Sequence, residues 1–572
     1  MMKQQLIDLR TRMQEKGVQA YIIPTTDFHG SEYVNDYFKS RKFVSGFTGS
    51  AGTLVVTAAE AWLWTDGRYF LQAAEQIEGT GIGLMKMGEP GVPTIEAYLK
   101  EKLSADSTIG FDGRVCDFAF GYKLEKICKV NYDLDLVGDI WKDRPAIKPS
   151  KIYGLPLSVT GETADSKLAR VRSYMADKGA DYHLITKLEE IAWLFNMRGD
   201  DVANTPVFFS FALIAKDHAY LYTMDETFRE EDARPYFQIF EDIKTLPEGT
   251  ILLDESIVSY ALVRSLPENV RIINESNPVA MMKALKNEVE ISSTKNAHLK
   301  DGAAMVNFIY WLKHTSGKET ITEMSAADYL EKCRKEQKGF HDLSFTTISA
   351  YMPNAAHPHY EATPESNQIL KAEGFYLVDS GGQYEDGTTD ITRTIALGPL
   401  SQKMKEHYTA VLRCHIRLAM TKFPIGTTGG ELDTLTRKPL RDLGLDYNHG
   451  TGHGVGHLLS VHEGPQTISF KPGHDVSFYA GMITSNEPGV YLEGEYGIRL
   501  ENEILCVEEP GGQLAFETIT FCPFDRDAIL PELLAEEERA WLNNYHKEVF
   551  EKIAPRVSAE VADWLSEVTK EI

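Results

Sequence analysis

The sequence is poor in cysteine and has no paired cysteines. Six cysteines occur in 572 residues, at positions 116, 128, 333, 414, 506 and 522, and none belongs to a CxxC motif. Scattered single cysteines exclude a zinc-finger module and are typical of proteins from a reducing compartment. We therefore expect a cytoplasmic protein.

Positive charge and long apolar runs are also scarce. Lysine and arginine number 59 against 84 acidic residues, which gives a net charge of −25. A nucleic-acid-binding domain presents a basic face, so we predict no nucleic-acid partner. No apolar run approaches the ~18 residues of a membrane helix. The opening stretch, 1–23, has the pattern of a charged amphipathic helix and a strand, without the apolar centre of a signal peptide. We predict no membrane partner.

Two segments of the first half repeat one pattern. LRTRMQEKGVQAYIIPT (9–25) and VRSYMADKGADYHLITK (171–187) each combine a helical pattern, a Lys-Gly pair and a strand pattern. Glycine after the last helical turn is a typical C-cap. The offset of 162 residues is longer than the repeats of solenoid proteins. We predict two related domains joined by the proline-rich stretch 144–156.

Helical periodicity at 288–314 marks the start of a further domain, and two more helical patterns follow at 534–552 and 557–570. We predict an α/β (α+β) fold with four parts. Their boundaries are 1–148, 149–286, 287–530 and a C-terminal helical extension, 531–572.

Five residues of metal-ligand type occur in order through the second half: Asp379, Asp390, His453, Glu487 and Glu501. If four carboxylates converge in the interior, cations must offset their repulsion. Oxygen-rich donors with one histidine suit a hard to borderline divalent metal better than a structural zinc. The ligand number also suits two ions that share carboxylates and generate hydroxide near neutral pH.

The first two carboxylates flank a turn. FYLVDSG is an apolar strand pattern ending in Asp379, DGT is a turn signal, and TDITRTI is a second strand pattern that opens at Asp390. A hairpin would bring both carboxylates to one place. Taken alone, the same residues could simply cap the turn.

HGTGHGVGH is rich in glycine, but it matches neither the P-loop nor the dinucleotide fingerprint. Its glycines disfavour a helical His453/His457 metal pair, so we take His453 as the ligand and leave His457 without a catalytic role. The VHEGP sequence lacks HExxH, and we expect His462 to donate a hydrogen bond to an oxyanion. In a strand, Arg499 would share a face with Glu501 and orient it, unless the two form an ordinary surface pair.

Several motifs together resemble one family. In the N-terminal half they are SEYVND, FVSGFTGSAGT, WTDGRYFLQA and EEIAWLFNMRGDDVANTPVFFS; in the C-terminal half they are DSGGQYEDGTTDITRT, HGTGHGVGHLLSVHEGP, SNEPGVY and GIRLEN. Over essentially its whole length, the chain resembles the X-prolyl aminopeptidases of the pita-bread metallopeptidase superfamily, in their long, three-domain cytosolic form. The resemblance implies two creatinase-like N-terminal domains, a pita-bread catalytic domain and the helical extension.

The resemblance also implies roles for individual residues. The five candidate ligands would hold two Mn²⁺ ions per subunit, with Zn²⁺ or Co²⁺ as alternatives, and Asp390 and Glu501 would bridge them. Catalytic roles would fall to Glu487, which shuttles a proton to the leaving nitrogen, and to His462 and His359, which flank the substrate carbonyl. The expected substrate-binding residues are His359, His449, His462 and Arg499.

The implied activity is hydrolysis of the N-terminal Xaa-Pro bond by a hydroxide that bridges the two metals. The substrates would be peptides with proline at the second position, and the enzyme would be a homodimer. Four alternatives share parts of this pattern: a prolidase-like Xaa-Pro dipeptidase, a methionine aminopeptidase, a creatinase-like amidinohydrolase, and a non-catalytic peptide-binding module on the same fold.

Overall fold

The computed structural model describes residues 3–230, 232–470 and 475–572. The chain forms two compact units, one of Met1–Pro156 with Glu162–Ala280 and one of Leu157–Gly161 with Met281–Ile572. Within the described ranges, no helix is both long enough and apolar enough to cross a membrane.

The first unit contains two six-stranded sheets of the same topology. In each, the middle strand pairs antiparallel on one side and parallel on the other. In spatial order, the strands of the first sheet are Gly83–Lys86, Ala61–Thr65, Thr53–Thr57, Ala20–Pro24, Thr108–Gly110 and Lys129–Asn131. Those of the second are Ala233–Pro235, Ala219–Thr223, Ser210–Ala215, Tyr182–Ile185, Gly249–Leu253 and Val270–Asn274.

The predicted duplication is confirmed at the level of individual contacts. The helices Gln4–Glu15 and Ala164–Lys178 precede the two middle strands. Gly17 and Gly179 follow their helices with φ of +67° and +68°, the left-handed conformation in which glycine is favoured. The matching arginines Arg10 and Arg172 each donate from Nε to a strand carbonyl, that of Thr57 (2.9 Å) and that of Ala215 (3.1 Å).

Shorter helices complete this unit, and a two-stranded pairing joins Tyr153–Gly154 to Met197–Arg198. The helices are Ser40–Ser45, Phe70–Gln76, Ile95–Lys102, Phe118–Glu125, Leu136–Ile140, Leu188–Leu194, Ile239–Asp242 and Tyr260–Arg264. The helix Pro278–Ala284 leads the chain into the second unit.

In the part of the second unit that the structure describes, there are four antiparallel sheets. The largest has the strand order Phe423–Pro424, Gln513–Thr518, Asn502–Glu509, Ile483–Asn486, Gly452–Gly454 and Glu463–Ile468. Two three-stranded sheets have the orders Ile348–Tyr351, Phe375–Ser380, Ile391–Ala396 and Phe340–Leu343, Gly382–Tyr384, Gly387–Thr388. A hairpin pairs Gly489–Leu492 with Tyr496–Arg499.

Helices cover these sheets. They are Leu157–Thr160, Glu288–Thr315, Glu323–Lys335, Gln402–Ala419, Gly429–Thr436, Lys438–Arg441, Glu536–Ile553 and Ala559–Val568. The long helix begins at Glu288 because the side chain of Asn287 accepts from the N–H groups of Val289 and Glu290. In return, the Glu290 side chain accepts from the Asn287 N–H. The last two helices belong to the main core: Leu542 and Leu565 pack in one cluster with Phe375.

A buried histidine in the helix Glu536–Ile553 determines how part of the stability responds to acid. The Nε2 atom of His546 accepts from the Phe524 N–H (3.2 Å), while Nδ1 has no hydrogen-bond partner within the described ranges. Burial, together with the nearby charges of Arg526 and Arg393, lowers the pKa of His546 from 6.5 to about 3. The unfolded chain therefore takes up a proton before the folded chain does.

The stabilisation from neutral His546 is complete above pH 6.5 and is lost as the pH falls, by about 1.4 kcal/mol per pH unit. We expect His546→Gln to make the fall in melting temperature between about pH 7 and about pH 5 shallower, because glutamine still accepts from Phe524 but does not titrate. Melting curves of both proteins at the two pH values measure this. If melting temperature falls equally with pH in both proteins, His546 is not the group responsible.

Candidate metal centre

Asp379 and Asp390 lie on the predicted hairpin. The strand Phe375–Ser380 pairs antiparallel with Ile391–Ala396, and Asp379 lies opposite Thr392. Asp390 directly precedes the second strand, and both aspartates are buried, with 7% and 4% exposure. The hairpin prediction is confirmed, and the carboxylates are held on rigid strands at one end of it.

The other three candidate ligands lie on neighbouring strands of the six-stranded sheet. His453 is the middle residue of Gly452–Gly454, Glu487 directly follows Ile483–Asn486, and Glu501 directly precedes Asn502–Glu509. The strand Ile483–Asn486 pairs antiparallel with both of its neighbours. Residues that are distant in sequence are therefore adjacent in the fold.

The candidate ligands converge. Asp390, His453 and Glu501 each offer a ligand atom, and these atoms all lie within 4.8 Å of one another. The Nε2 atom of His453 is 3.4 Å from Asp390 Oδ2 and 3.6 Å from Glu487 Oε1. Asp379 is close enough for its charge to act on Asp390, Glu487 and Glu501. The structure thus places all five residues around one centre.

Burial and the concentration of negative charge both raise the pKa values of the carboxyl groups at this centre. Burial raises the pKa of Asp390 and of Glu501 well above the usual range, and the neighbouring carboxylates raise it further. Burial also raises the pKa of Glu487, although His453 and Arg499 oppose that shift. A bound cation would stabilise the ionised carboxylates that burial and mutual repulsion disfavour.

The donor set fits divalent cations. Asp379 Oδ1 and Asp390 Oδ1 are buried and have no hydrogen-bond donor within the described part of the chain. Buried polar atoms normally have a partner, so such oxygens are suited to ligate an ion. His453 donates from Nδ1 to the Gly454 carbonyl (3.0 Å), which leaves Nε2 as the electron-pair donor.

Arg499 does not bind Glu501 directly, so the expected direct orientation is wrong; the two are linked through the Thr392 hydroxyl, which lies 3.3 Å from Arg499 Nε. The strand Tyr496–Arg499 ends before Glu501, so the two residues do not share a strand face. Arg499 donates instead to Asp379 Oδ2, from Nε at 3.1 Å and from Nη2 at 2.5 Å. Glu501 receives its hydrogen bond from the hydroxyl of Thr392 (2.6 Å).

Arg499 has further protein partners. Besides Asp379, it donates from Nη1 to the Tyr491 hydroxyl (2.6 Å) and from Nη2 to the Pro358 carbonyl (3.0 Å). The side chain is 3% exposed. Each of the three guanidinium nitrogens thus binds a protein atom, and Arg499 holds the candidate ligand Asp379 in place.

The histidines of the motifs lie around the same centre. The His462 ring contacts the His453 ring edge to face, with centroids 4.3 Å apart. His449 donates from Nδ1 to the Gly450 carbonyl (2.7 Å), and its Nε2 pairs with the Tyr491 hydroxyl (2.8 Å). His359 is half-buried in the loop after the 3₁₀ helix Met352–Ala356 and is connected to the centre through its neighbour Pro358.

Tyr491 and Thr392 are functional neighbours that the sequence reasoning missed. Tyr491 joins Arg499 to His449, and Thr392 fixes Glu501. Tyr491 stands inside SNEPGVY, and Thr392 stands inside the Asp390 motif. Their positions within these motifs were the only sequence signal for a role at the site. Their hydrogen-bond partners are distant in sequence and could not be predicted.

The glycines of HGTGHGVGH permit close packing of backbones. A Cβ atom at Gly452 would lie 2.0 Å from the Ser485 carbonyl, and one at Gly454 would lie 2.3 Å from the Glu463 carbonyl. Both ring nitrogens of His457 bind protein atoms: Nδ1 pairs with the Thr294 hydroxyl and Nε2 with the Val159 carbonyl, both at 3.0 Å. His457 therefore has a structural role.

A buried ion cluster anchors the strand that follows His462. Glu463 is bound by Lys283 (2.6 Å, Nζ to Oε2) and by Lys286, and all three side chains are at most 5% exposed. Removing one partner from such a cluster leaves buried charge unpaired. The cluster thus fixes the backbone next to His462.

Comparisons with known proteins agree with this geometry. The Creatinase/Prolidase N-terminal domain matches twice, at residues 6–144 and 143–290. Metallopeptidase family M24 matches residues 292–508, and the C-terminal region of peptidase M24 matches residues 512–572. A probable Xaa-Pro aminopeptidase P of Laccaria bicolor is 38% identical, with 98% of this chain and 92% of that protein covered. The chain belongs to the aminopeptidase P family.

Two further aminopeptidase P relatives cover the whole chain. Aminopeptidase P1 of Arabidopsis thaliana is 36% identical over 100% of this chain and 99% of its own. The crystal structure of an X-prolyl aminopeptidase from Caenorhabditis elegans, described as a cytosolic enzyme with a di-nuclear active site, superposes with a TM-score of 0.94. It is 36% identical and covers 99% of each chain. The fold is therefore that of two creatinase-like domains followed by a pita-bread domain.

Shorter members of the superfamily match less of the chain. The Xaa-Pro dipeptidase of Bacillus anthracis is 27% identical with a TM-score of 0.52, and the match covers 64% of this chain and 99% of that one. About a third of this chain therefore has no counterpart in the dipeptidase.

Proposed function

We propose that this chain is a metal-dependent aminopeptidase that hydrolyses the N-terminal Xaa-Pro bond of peptides. The observation that supports this most directly is the buried convergence of Asp390, His453 and Glu501. Each of these three ligands lies in a motif of a family to which the chain belongs over its full length. A non-catalytic binding module does not require this costly concentration of carboxylates.

The residues Asp379, Asp390, His453, Glu487 and Glu501 would hold two divalent cations, which we propose to be Mn²⁺, with Zn²⁺ or Co²⁺ as alternatives. We further propose that Asp390 and Glu501 would both contribute ligand atoms to this pair of ions. When bound, such a pair of cations activates water and polarises the scissile carbonyl. The unpartnered oxygens of Asp379 and Asp390 support this assignment.

The protein groups around the ligands would act on the substrate. His462, whose ring packs against that of His453, would donate a hydrogen bond to the oxygen of the scissile carbonyl, and His359 would approach the same group. Donors aimed at an oxyanion stabilise the transition state more than the ground state. His449, fixed by Tyr491, would line the pocket for the proline ring.

Proton transfer would fall to Glu487. The nitrogen of an Xaa-Pro bond has no hydrogen and must gain a proton before proline can leave as an amine. A carboxyl oxygen of Glu487 is 3.6 Å from His453 Nε2, which places this carboxylate beside the other proposed ligands, within reach of the reacting groups. Arg499 would keep Asp379 in place and take no direct part.

The runner-up is an Xaa-Pro dipeptidase, which the partial match to the Bacillus anthracis enzyme favours. A dipeptidase must recognise the free carboxylate of its dipeptide, whereas an aminopeptidase must accommodate further residues beyond proline. Arg499 is engaged by Asp379, Tyr491 and Pro358, so it is not available to bind that carboxylate.

A panel of three peptides tests the function. We expect Arg-Pro-Pro to release its first residue, and Arg-Ala-Pro to react with a kcat/KM lower by about 100-fold or more, since each methylene group missing from the proline pocket costs about 10- to 200-fold. The dipeptide Arg-Pro should be no better a substrate than the tripeptide. Mass spectrometry of the products with the manganese-loaded protein measures all three. Equal rates for alanine and proline would favour a broad aminopeptidase, and cleavage confined to Arg-Pro would favour the dipeptidase.

We also propose a cytoplasmic location and a homodimer. The six cysteines are all free and buried, which is consistent with a reducing compartment. The homodimer stays a prediction from the family resemblance.

A further inference from the structure

A fully buried glutamate outside the metal centre organises the loop that contains His359. Glu323 is the first residue of the helix Glu323–Lys335, and its side chain is 0% exposed. Both ends of the loop donate backbone N–H groups to this carboxylate, Tyr351 at 2.7 Å and Gln368 at 2.9 Å. The Glu323 N–H in turn donates to the Gln368 carbonyl (3.0 Å). One carboxylate thus closes the loop at its base.

The same carboxylate also binds the interior of the loop. The Asn354 amide lies 3.0 Å and 3.1 Å from its two oxygens, and the Tyr360 hydroxyl lies 2.9 Å from Oε2. Ser366 is a further neighbour of that hydroxyl. A tyrosine hydroxyl has one proton to donate, and the carboxylate is the strongest acceptor within reach.

His359 lies between two such attachments. On one side, Pro358 accepts a hydrogen bond from Arg499 (3.0 Å), which also binds the candidate ligand Asp379. On the other side, Tyr360 is bound to Glu323. The residues before and after His359 are therefore tied to two different buried charges, one at the metal centre and one at the start of a helix. A loop fixed on both sides loses little further entropy when its histidine meets a substrate.

We propose that Glu323, acting through Tyr360, is a positioning residue that holds His359 in place for catalysis. The inference rests on the proposed function, in which His359 acts on the scissile carbonyl. Glu323 and Tyr360 do not touch the substrate in this account. Their effect is on the placement of His359, and small displacements of a catalytic group lower the rate strongly.

A double-mutant cycle with the manganese-loaded full chain tests this. We expect His359→Ala to lower kcat by about 100-fold, as for loss of an oxyanion donor, and Tyr360→Phe to lower kcat by about 10-fold with little change in KM. In the His359→Ala background, Tyr360→Phe should have no further effect, because the group that it positions is already absent. Glu323→Gln, which exchanges one acceptor oxygen for a donor, should lower kcat more than Tyr360→Phe.

Metal content and melting temperature of each variant are measured alongside the kinetics. Tyr310→Phe is the matched control, since it removes a tyrosine–glutamate hydrogen bond to Glu560 (2.6 Å) in the same unit, and it should leave kcat unchanged. If Tyr360→Phe is as active as the wild type, or if its loss adds in full to that of His359→Ala, the positioning role is wrong and the proposed function still stands. If His359→Ala itself is fully active, both the role of His359 and this inference are wrong.

Discussion

Replacing Asp390 with alanine is expected to remove at least one bound cation and nearly all activity, while the fold is kept. The carboxylate lies 3.4 Å from His453 Nε2, and its Oδ1 has no donor within the described ranges. Without it, the remaining ligands would supply less negative charge to the two cations. Metal ions supply several kcal/mol of transition-state stabilisation, so kcat should fall by about 10³-fold or more.

Asp386→Asn is the matched control. Asp386 belongs to the turn of the same hairpin but pairs with Lys300 (2.8 Å) at a site that is 16% exposed, away from the candidate ligands. Metal analysis, circular dichroism and steady-state rates would be compared for both variants, and Glu501→Ala should behave like Asp390→Ala. Full activity of Asp390→Ala at unchanged metal content would refute the five-ligand assignment.

Replacing His462 with alanine is expected to leave both cations bound and to lower kcat by roughly 10²–10³-fold. The ring packs against His453 but is not one of the five proposed ligands. Added manganese should not restore the rate. His453→Ala should instead weaken metal binding, because His453 is a proposed ligand. Excess manganese should therefore restore part of its activity. Calorimetric titration with Mn²⁺ beside kinetics separates the two cases.

His457→Ala is the control for His462, because the two histidines stand five residues apart in the same motif. Its ring nitrogens pair with Thr294 and the Val159 carbonyl, so we expect a lower melting temperature with unchanged metal binding and unchanged kcat of the folded protein. Loss of an ion from His462→Ala, or from His457→Ala, would show that the ligand has been misassigned.

Local sequence patterns were sufficient to predict the hairpin that holds two of the ligands and the long helix that opens the catalytic domain. Alternating and apolar runs around Asp379 and Asp390 predict a hairpin because both strands and the turn lie within one short segment, and the structure has that hairpin. The helix predicted at 288–314 is observed at Glu288–Thr315. Its polar first turn and capping asparagine are local signals.

The partners of the ligands could not be predicted in this way. Arg499 binds Asp379, which is 120 residues earlier, and the strand rule instead suggested the nearby Glu501. That rule failed because the strand ends at Arg499. The role of Glu323 could not be predicted either, because its hydrogen-bond partners, such as Gln368, are distant in sequence and meet only in the folded loop. Hydrogen bonds between distant segments depend on topology, which residue spacing alone does not specify.

The metal content of the active wild-type protein tests the central claim most directly. The protein would be stripped with a chelator, titrated with Mn²⁺, and assayed on Arg-Pro-Pro at each step, with bound metal measured by mass spectrometry. We predict that full activity requires two ions per chain and that the stripped protein is inactive but folded. Full Xaa-Pro cleavage by protein that contains no bound metal would contradict it.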